Sequence, residues 1–277
     1  MSPTKPDTRL APQKLSARVG GISQEIKIAL LYLVALTVAE SLATIIAPVF
    51  GLVLHALLLV AVIVHAALFS EANRRRFLTV FALIPLIRLM SLMLPLPNYP
   101  FIYWYGLVGA PLLLAAFVTQ NSLGIRSHDV GLNGRYPLFQ LLVGLTGIGL
   151  GYVEYIILRP NPLAPSPALS DIWVPMLILI FFTGLLEEWI FRGLLQLTAF
   201  ENMGRLGLLF VAIVFAVMHL GYHSFWDIIF VFSVAIYFGW VTMRTGSIVG
   251  VTIAHSLTNI GLFLVFPFLV GGYVPVG

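Results

Sequence analysis

The chain of 277 residues is 60% hydrophobic and only 9% charged, with a mean hydropathy of +1.00. Soluble domains run near roughly 45–50% apolar and 25% charged, so this composition excludes a soluble globular protein and assigns the chain to a membrane. The absence of cysteine excludes disulfides and thiolate chemistry, and the net charge of +4 comes from basic residues beside apolar stretches without aromatic interleaving, so no nucleic-acid partner is expected.

Residues 1–25 form a polar tail with Pro3, Pro6 and Pro12, expected to be a flexible cytoplasmic segment; the first apolar stretch is too long and too deep in the chain for a cleaved signal. Apolar stretches long enough to cross a bilayer as helices then follow at Ile26–Phe50, Gly51–Ser70, Phe77–Leu96, Phe101–Gln120, Pro137–Leu158, Asp171–Phe200, Leu206–Leu220, Phe225–Met243 and Ser247–Val270. The expected fold is an all-α polytopic transmembrane helix bundle of about eight or nine spans, the seventh being short. A polar stretch, Asn121 to Arg135, is expected along the membrane interface. Pro160, Pro162, Pro165 and Pro167 make the Arg159–Ser170 connection a non-helical loop. Residues 26–158 form an N-terminal transmembrane region, and residues 171–270 a second one in which the polar groups within spans are concentrated.

Lysine and arginine placement sets an orientation, because positive loop charges stay on the cytoplasmic side. Lys5, Arg9, Lys14, Arg18 and Lys27 precede the first span. With that end inside, Arg74–Arg76, Arg126, Arg135, Arg205 and Arg244 all fall on the cytoplasmic face and only Arg159 on the other. A multi-pass protein of the cell membrane with a cytoplasmic N-terminus is expected.

Chemistry is concentrated in the sixth span and after it. A charged side chain at the bilayer centre disfavours insertion by roughly 2.5–3.5 kcal/mol, so the group Glu187, Glu188 and Arg192 is a candidate functional site. Glu188 and Arg192 are four apart with the acid first, the favoured order for an intrahelical pair. Glu187 is rotated away from that pair and is the less compensated carboxylate. His219 follows one span later, and His255 and Asn259, four apart, share a face of the last span. A carboxylate with an imidazole can take a proton from water and return it to an amine leaving group, while a second imidazole and a carboxamide can donate hydrogen bonds to an oxyanion. Nucleophilic routes are thin: Ser256 points away from its neighbour His255, and no GxSxG elbow is present.

The segments Glu187-Glu188-Trp-Ile-Phe-Arg192, Phe215-Ala-Val-Met-His219 and His255-Ser-Leu-Thr-Asn259 resemble the EExxxR, FxxxH and HxxxN motifs of the CAAX-protease and bacteriocin-processing family, in order, over Pro175 to Phe266. The resemblance implies an intramembrane glutamic endopeptidase of the kind that removes the last three residues of prenylated CAAX proteins. It implies that Glu187 and His219 activate water, that His255 and Asn259 form the oxyanion site, and that Glu188 and Arg192 orient Glu187. No cofactor or metal is called for; the partners implied are membrane lipids and a lipid-anchored or membrane-embedded peptide. Family members differ in role, some being linked to bacteriocin immunity.

Other readings set the tests. Glu187, Glu188 and Arg192 as a structural ion cluster, His219 as a hydrogen-bonded helix end, and His255 with Asn259 as interhelical glue would together make a non-enzymatic partner-binding protein. His219, His223, His255 and a glutamate are the right ligand types for a zinc protease, although HExxH is absent and His223 is expected to be exposed. His55 and His65 read as structural; Glu40, Arg88 and Glu154 call for partners within the bundle. Because the sixth span runs inward and Glu187 lies past its middle, the site is expected toward the cytoplasmic side.

Overall fold

A computed structural model describes residues 23–69, 71–93 and 100–273; the expected flexible tail lies outside these residues up to position 22. The described residues hold nine helices and no strand: α1 Gln24–Ile46, α2 Pro48–Leu68, α3 Ala72–Met93, α4 Phe101–Ser122, α5 Pro137–Leu158, α6 Leu169–Met203, α7 Leu206–Tyr222, α8 Phe225–Thr245 and α9 Val249–Leu269. Eight are long and apolar enough to cross a membrane, and α7 is the shorter one. In hydrocarbon a backbone must satisfy its own hydrogen bonds, which is why apolar runs of this length form helices. Their exposed faces carry large apolar side chains such as Leu57, Leu114 and Leu142, the surface a bundle presents to lipid.

Local chemistry sets the boundaries. The first apolar stretch, expected to run to Phe50, breaks at Ala47: Pro48 opens α2 and drives the residue before it out of the helical region, to φ −151° and ψ 85°. Glu71 caps α3 by accepting hydrogen bonds from the backbone N–H groups of Asn73 and Arg74 at 3.1 and 2.8 Å. Gly246, at φ +66°, closes α8 in the left-handed conformation that glycine adopts without strain, its N–H donating to the Thr242 carbonyl at 2.8 Å.

Successive helices alternate direction, so the bundle has two ends. At the first, Arg74 pairs with Glu25 at 2.7 Å, Arg76 with Glu201 at 3.4 Å, and Asn202 donates to the Asn73 carbonyl at 3.0 Å. The Asn121–Arg135 stretch ends α4 and then turns irregularly at this end. It is tied to the start of α9: Asn133 donates to the Gly246 carbonyl at 2.7 Å, and Ile248 N–H donates to the Gly131 carbonyl at 2.9 Å. At the second end Leu163 N–H donates to the Phe263 carbonyl at 3.0 Å, and Thr44 near the end of α1 packs on Gly221 near the end of α7.

Two features bring α6 and α9 together as the site requires. In α6 the segment Leu186–Glu188 lies between two stretches of wide, i→i+5 turns, Ile180–Leu185 and Trp189–Leu195; such turns rotate the side chains around them and recur at functional sites. Helix α5 meets α9 at backbone contact through Gly144, Gly147 and Gly151: a Cβ on Gly147 would run into the Ala254 backbone, and one on Gly151 into that of Thr258. Small residues at this spacing let membrane helices approach closely, and Thr258 Oγ1 donates to the Gly147 carbonyl at 3.2 Å across the contact.

Gly147→Val is expected to lower stability by about 1–3 kcal/mol through overpacking, read as a lower melting temperature in detergent. Gly149→Val, whose Cβ would enter open space, is expected to leave the melting temperature unchanged.

Candidate active site

The two adjacent glutamates occupy different environments. The side chain of Glu188 is fully buried; its Oε1 accepts from Arg192 Nη1 at 2.9 Å, one helical turn on, and from His255 Nδ1 at 2.7 Å, across from α9. A buried carboxylate needs partners of this kind, because its lost hydration costs several kcal/mol by the order-of-magnitude reckoning for buried ions. Glu187, one residue earlier and about 100° around the helix, keeps 30% of its side-chain surface exposed and lies 3.8 Å from His255 Nε2. One glutamate therefore ties α6 to α9, and the other stands free at a cavity wall.

His219 follows the last α-helical turn of α7, and its Nδ1 donates to the Phe215 carbonyl at 2.8 Å. That bond leaves Nε2 as the free ring nitrogen. Phe215 also has a direct physical role: its ring lies 4.2 Å from the Arg192 guanidinium carbon and 4.7 Å, centroid to centroid, from the His219 ring. It thus joins the α6 cation to the α7 imidazole. Asn259 donates through Nδ2 to Thr183 Oγ1 at 2.9 Å, which fixes the carboxamide against α6 one turn before Glu187.

These side chains share a cavity of about 60 Å³, lined by Glu187, His219, His255, Asn259, Thr183 and Glu154, with Tyr105 and Tyr222 at its rim. The structure thus brings Glu187, His219, His255 and Asn259 to one wall, with Glu188 and Arg192 directly behind. A second, larger cavity of about 380 Å³ adjoins it and is mostly apolar, with Trp104, Val108, Leu112, Phe182 and Leu186 in its walls; Glu187 and His219 line both.

Arg88 also faces the larger cavity. Its Nε donates to Glu40 Oε2 at 2.8 Å, and its Nη2 both contacts Glu40 Oε1 at 2.5 Å and donates to the Met218 carbonyl at 2.7 Å. His55 Nε2 lies 3.2 Å from the same Glu40 carboxylate. Glu40 and Arg88 are thus each other's partners, and the pair anchors the helix end that carries His219. His65 is held by the Tyr32 hydroxyl at 2.7 Å, away from the site.

His223 is exposed, in a left-handed conformation at φ 54°, and lines neither cavity. Among the described residues no three His, Asp or Glu side chains converge to hold a metal ion, so the donor set of the zinc reading does not assemble.

The end of the bundle on which the site opens is set by the neighbouring helices. Glu187 is close to the midpoint of the 35-residue α6, but the cavities extend from it toward the second end of the bundle. Their walls include Phe101, Trp104 and Tyr105 at the start of α4, Phe230 near the start of α8, and Tyr222 where α7 ends. One helix position near a midpoint does not fix a direction; the ends of its neighbours do. Thr183, Tyr105 and Tyr222 were not singled out from the sequence, since a hydroxyl in an apolar span is unremarkable until a partner faces it. Glu154 was noticed for its depth but had no assigned place.

Residues 169–261 match the family described as Rce1-like, type II CAAX prenyl endopeptidase Rce1-like, and the three motifs lie within that segment. No curated protein and no solved structure matches the chain. The protein is a multi-pass helical membrane protein, and the matched segment is similar to CAAX-type proteases.

Arg192→Met, which strands the buried Glu188 carboxylate, is expected to destabilise the protein by about 3–5 kcal/mol. Glu187→Gln, at a partly exposed carboxylate, is expected to leave the melting temperature in detergent near that of the parent, so the two neighbouring positions separate by stability before any activity is measured.

Proposed function

We propose that the protein is a glutamic intramembrane endopeptidase acting on a lipid-linked peptide. The observation that carries this reading is the position of Glu187 at the junction of a small polar cavity and a large apolar one. A volume of about 380 Å³ falls in the range of roughly 300–1,000 Å³ typical of sites that enclose a small organic ligand. It suits an isoprenoid or similar chain, with the scissile peptide bond lying beside Glu187.

In this mechanism a water molecule sits between Glu187 and His219 Nε2. Glu187 takes its proton as the oxygen adds to the peptide carbonyl, and the free lone pair of His219 holds the water in line. The tetrahedral oxyanion accepts hydrogen bonds from the Asn259 carboxamide and from His255 Nε2 in the state where that nitrogen carries a proton, Nδ1 remaining bonded to Glu188. Collapse breaks the C–N bond, Glu187 returns the proton to the leaving amine, and the products are a carboxylic acid and an amine. Glu188 and Arg192 act through His255 and Phe215 and touch no reacting atom.

Support for this division of labour is geometric: the carboxylate with two close partners, Glu188, is occupied, and the one without, Glu187, is available. Cleavage of a peptide bond close to a lipid anchor, the chemistry by which a C-terminal tripeptide leaves a prenylated CAAX sequence, is the reaction type suggested by the family match.

Cleavage of a farnesylated CAAX reporter by purified protein in detergent tests the chemistry. Glu187→Gln is expected to reduce kcat by about 10²–10⁴-fold with stability retained, and a strong chelator to leave the parent rate unchanged. Rate loss under chelation would overturn the metal-free mechanism. Leu112→Trp, which fills the apolar cavity, is expected to raise KM for the prenylated reporter by about tenfold or more while kcat is kept; an unaltered KM would remove the lipid chain from that cavity.

A further inference from the structure

The two ends of the bundle differ in charge and in access, and the differences point the same way. Of the 11 lysines and arginines among the described residues, Arg88 and Arg192 lie within spans, and only Arg159 lies at the second end, in the α5–α6 connection. Lys27, Arg74, Arg75, Arg76, Arg126, Arg135, Arg205 and Arg244 all lie at the first end. The contacts Glu25–Arg74, Arg76–Glu201 and Asn202–Asn73 place those loops together at one face, independently of any hydropathy count.

Access to the site runs from the opposite face. Phe101 and Tyr222, both exposed, line the apolar cavity at the second end, and Glu154 enters the polar cavity from near the end of α5. A cavity at the first end, of about 230 Å³, is lined by Asp129, Gly131 and Gly246 and reaches Arg192, but none of Glu187, His219, His255 or Asn259 lines it. Arg192, with Glu188 and the rings of Phe215 and Phe238 packed on it, separates that cavity from the reacting groups.

Lysine- and arginine-rich short loops are retained in the cytoplasm, whereas acidic residues contribute little to orientation. From these observations, and resting on the proposed peptidase reading, we infer that the active site opens on the non-cytoplasmic face of the membrane and that its substrate is an exported polypeptide held at the outer leaflet by a lipid or apolar anchor. The prenylated reporter then probes the chemistry of the site in detergent, where sidedness is lost, and is not the natural substrate, since a cytoplasmic prenylated protein would present its C-terminus to the closed end.

The native chain contains no cysteine, so single-cysteine variants report topology directly and do not depend on activity. Asn161→Cys in the Arg159–Ser170 connection, Phe101→Cys at the cavity mouth and Ser127→Cys at the first end are all at exposed positions. In right-side-out vesicles an impermeant maleimide is expected to label Asn161→Cys and Phe101→Cys and to spare Ser127→Cys; inverted vesicles are expected to give the reverse. Ala168→Cys and Gly134→Cys, in the same two connections, provide a second pair should one of the first fail to insert. Labelling of the first-end cysteines from outside, or equal labelling of both ends in both preparations, would overturn the inference. Externally added reporter on a synthetic lipid anchor is expected to be cleaved by right-side-out vesicles only. If labelling follows the expected pattern and this cleavage fails while detergent activity is present, the assignment of an outer-leaflet anchored substrate falls; if detergent activity is also absent, the peptidase reading falls and the topology stands.

Discussion

The rest of the site depends on a single buried carboxylate. Glu188 sits in the middle of the longest helix with no exposed side-chain surface, and it is tolerated only because Arg192 and His255 both reach it at hydrogen-bonding distance. That requirement fixes the rotation of α6, draws α9 against it and sets which nitrogen of His255 is left to face the cavity. The freedom of Glu187 is the complement of its neighbour's confinement. With the cation and one imidazole nitrogen already engaged by Glu188, the neighbouring carboxylate of Glu187, turned about 100° away, has only His255 Nε2 at 3.8 Å beside it and lines the cavity.

Such a contact between α6 and α9 needs a backbone that permits it. Gly147 and Gly151 on α5 remove the side chains that would hold α9 off, and Thr258 spans the gap with its hydroxyl. Gly184 does the same on α6, where a Cβ would meet the Ser256 side chain. The wide turns on either side of Leu186–Glu188 change the side-chain register locally, so the helix can present Glu188 to α9 and Glu187 to the cavity without bending away from either. Packing and chemistry are therefore coupled: small residues set the distance at which the ion cluster closes.

Much of this fold was legible because the bilayer imposes a length. Nine apolar stretches were expected and the described residues hold nine helices, with ends that shift by a few residues where a cap or a proline intervenes, as at Pro48 and Glu71. The residues around the candidate cavity were legible for another reason: charge and imidazole are costly in apolar spans, so Glu187, Glu188, Arg192, His219 and His255 stand out without any structure. Thr183, Tyr105 and Tyr222 do not, since each is ordinary in a membrane helix and gains meaning only from what faces it. The wide turns of α6 carry no mark in the sequence. The end on which the cavities open is not legible from α6 alone; the position of His219 near the end of α7, and of Tyr105 near the start of α4, supplies that direction.

The N-terminal helices take part in the site although the family match begins only at residue 169. Glu40 on α1 and Arg88 on α3 form a pair that would have little reason to exist in hydrocarbon for its own sake, since two desolvated charges rarely repay their burial. Its geometry supplies the reason: the guanidinium bonded to Glu40 also donates to the carbonyl of Met218, the residue before His219. A helix end in an apolar medium leaves carbonyls that water cannot reach, and a cation there satisfies one of them and fixes the turn that follows. The imidazole of His219 is thus held from both sides of its own backbone, by the Phe215 carbonyl at its ring and by Arg88 at the peptide just before it. An apolar substitute for the Glu40–Arg88 pair could pack as well, but it could not hold that peptide, and this is what ties the first half of the chain to the chemistry of the second.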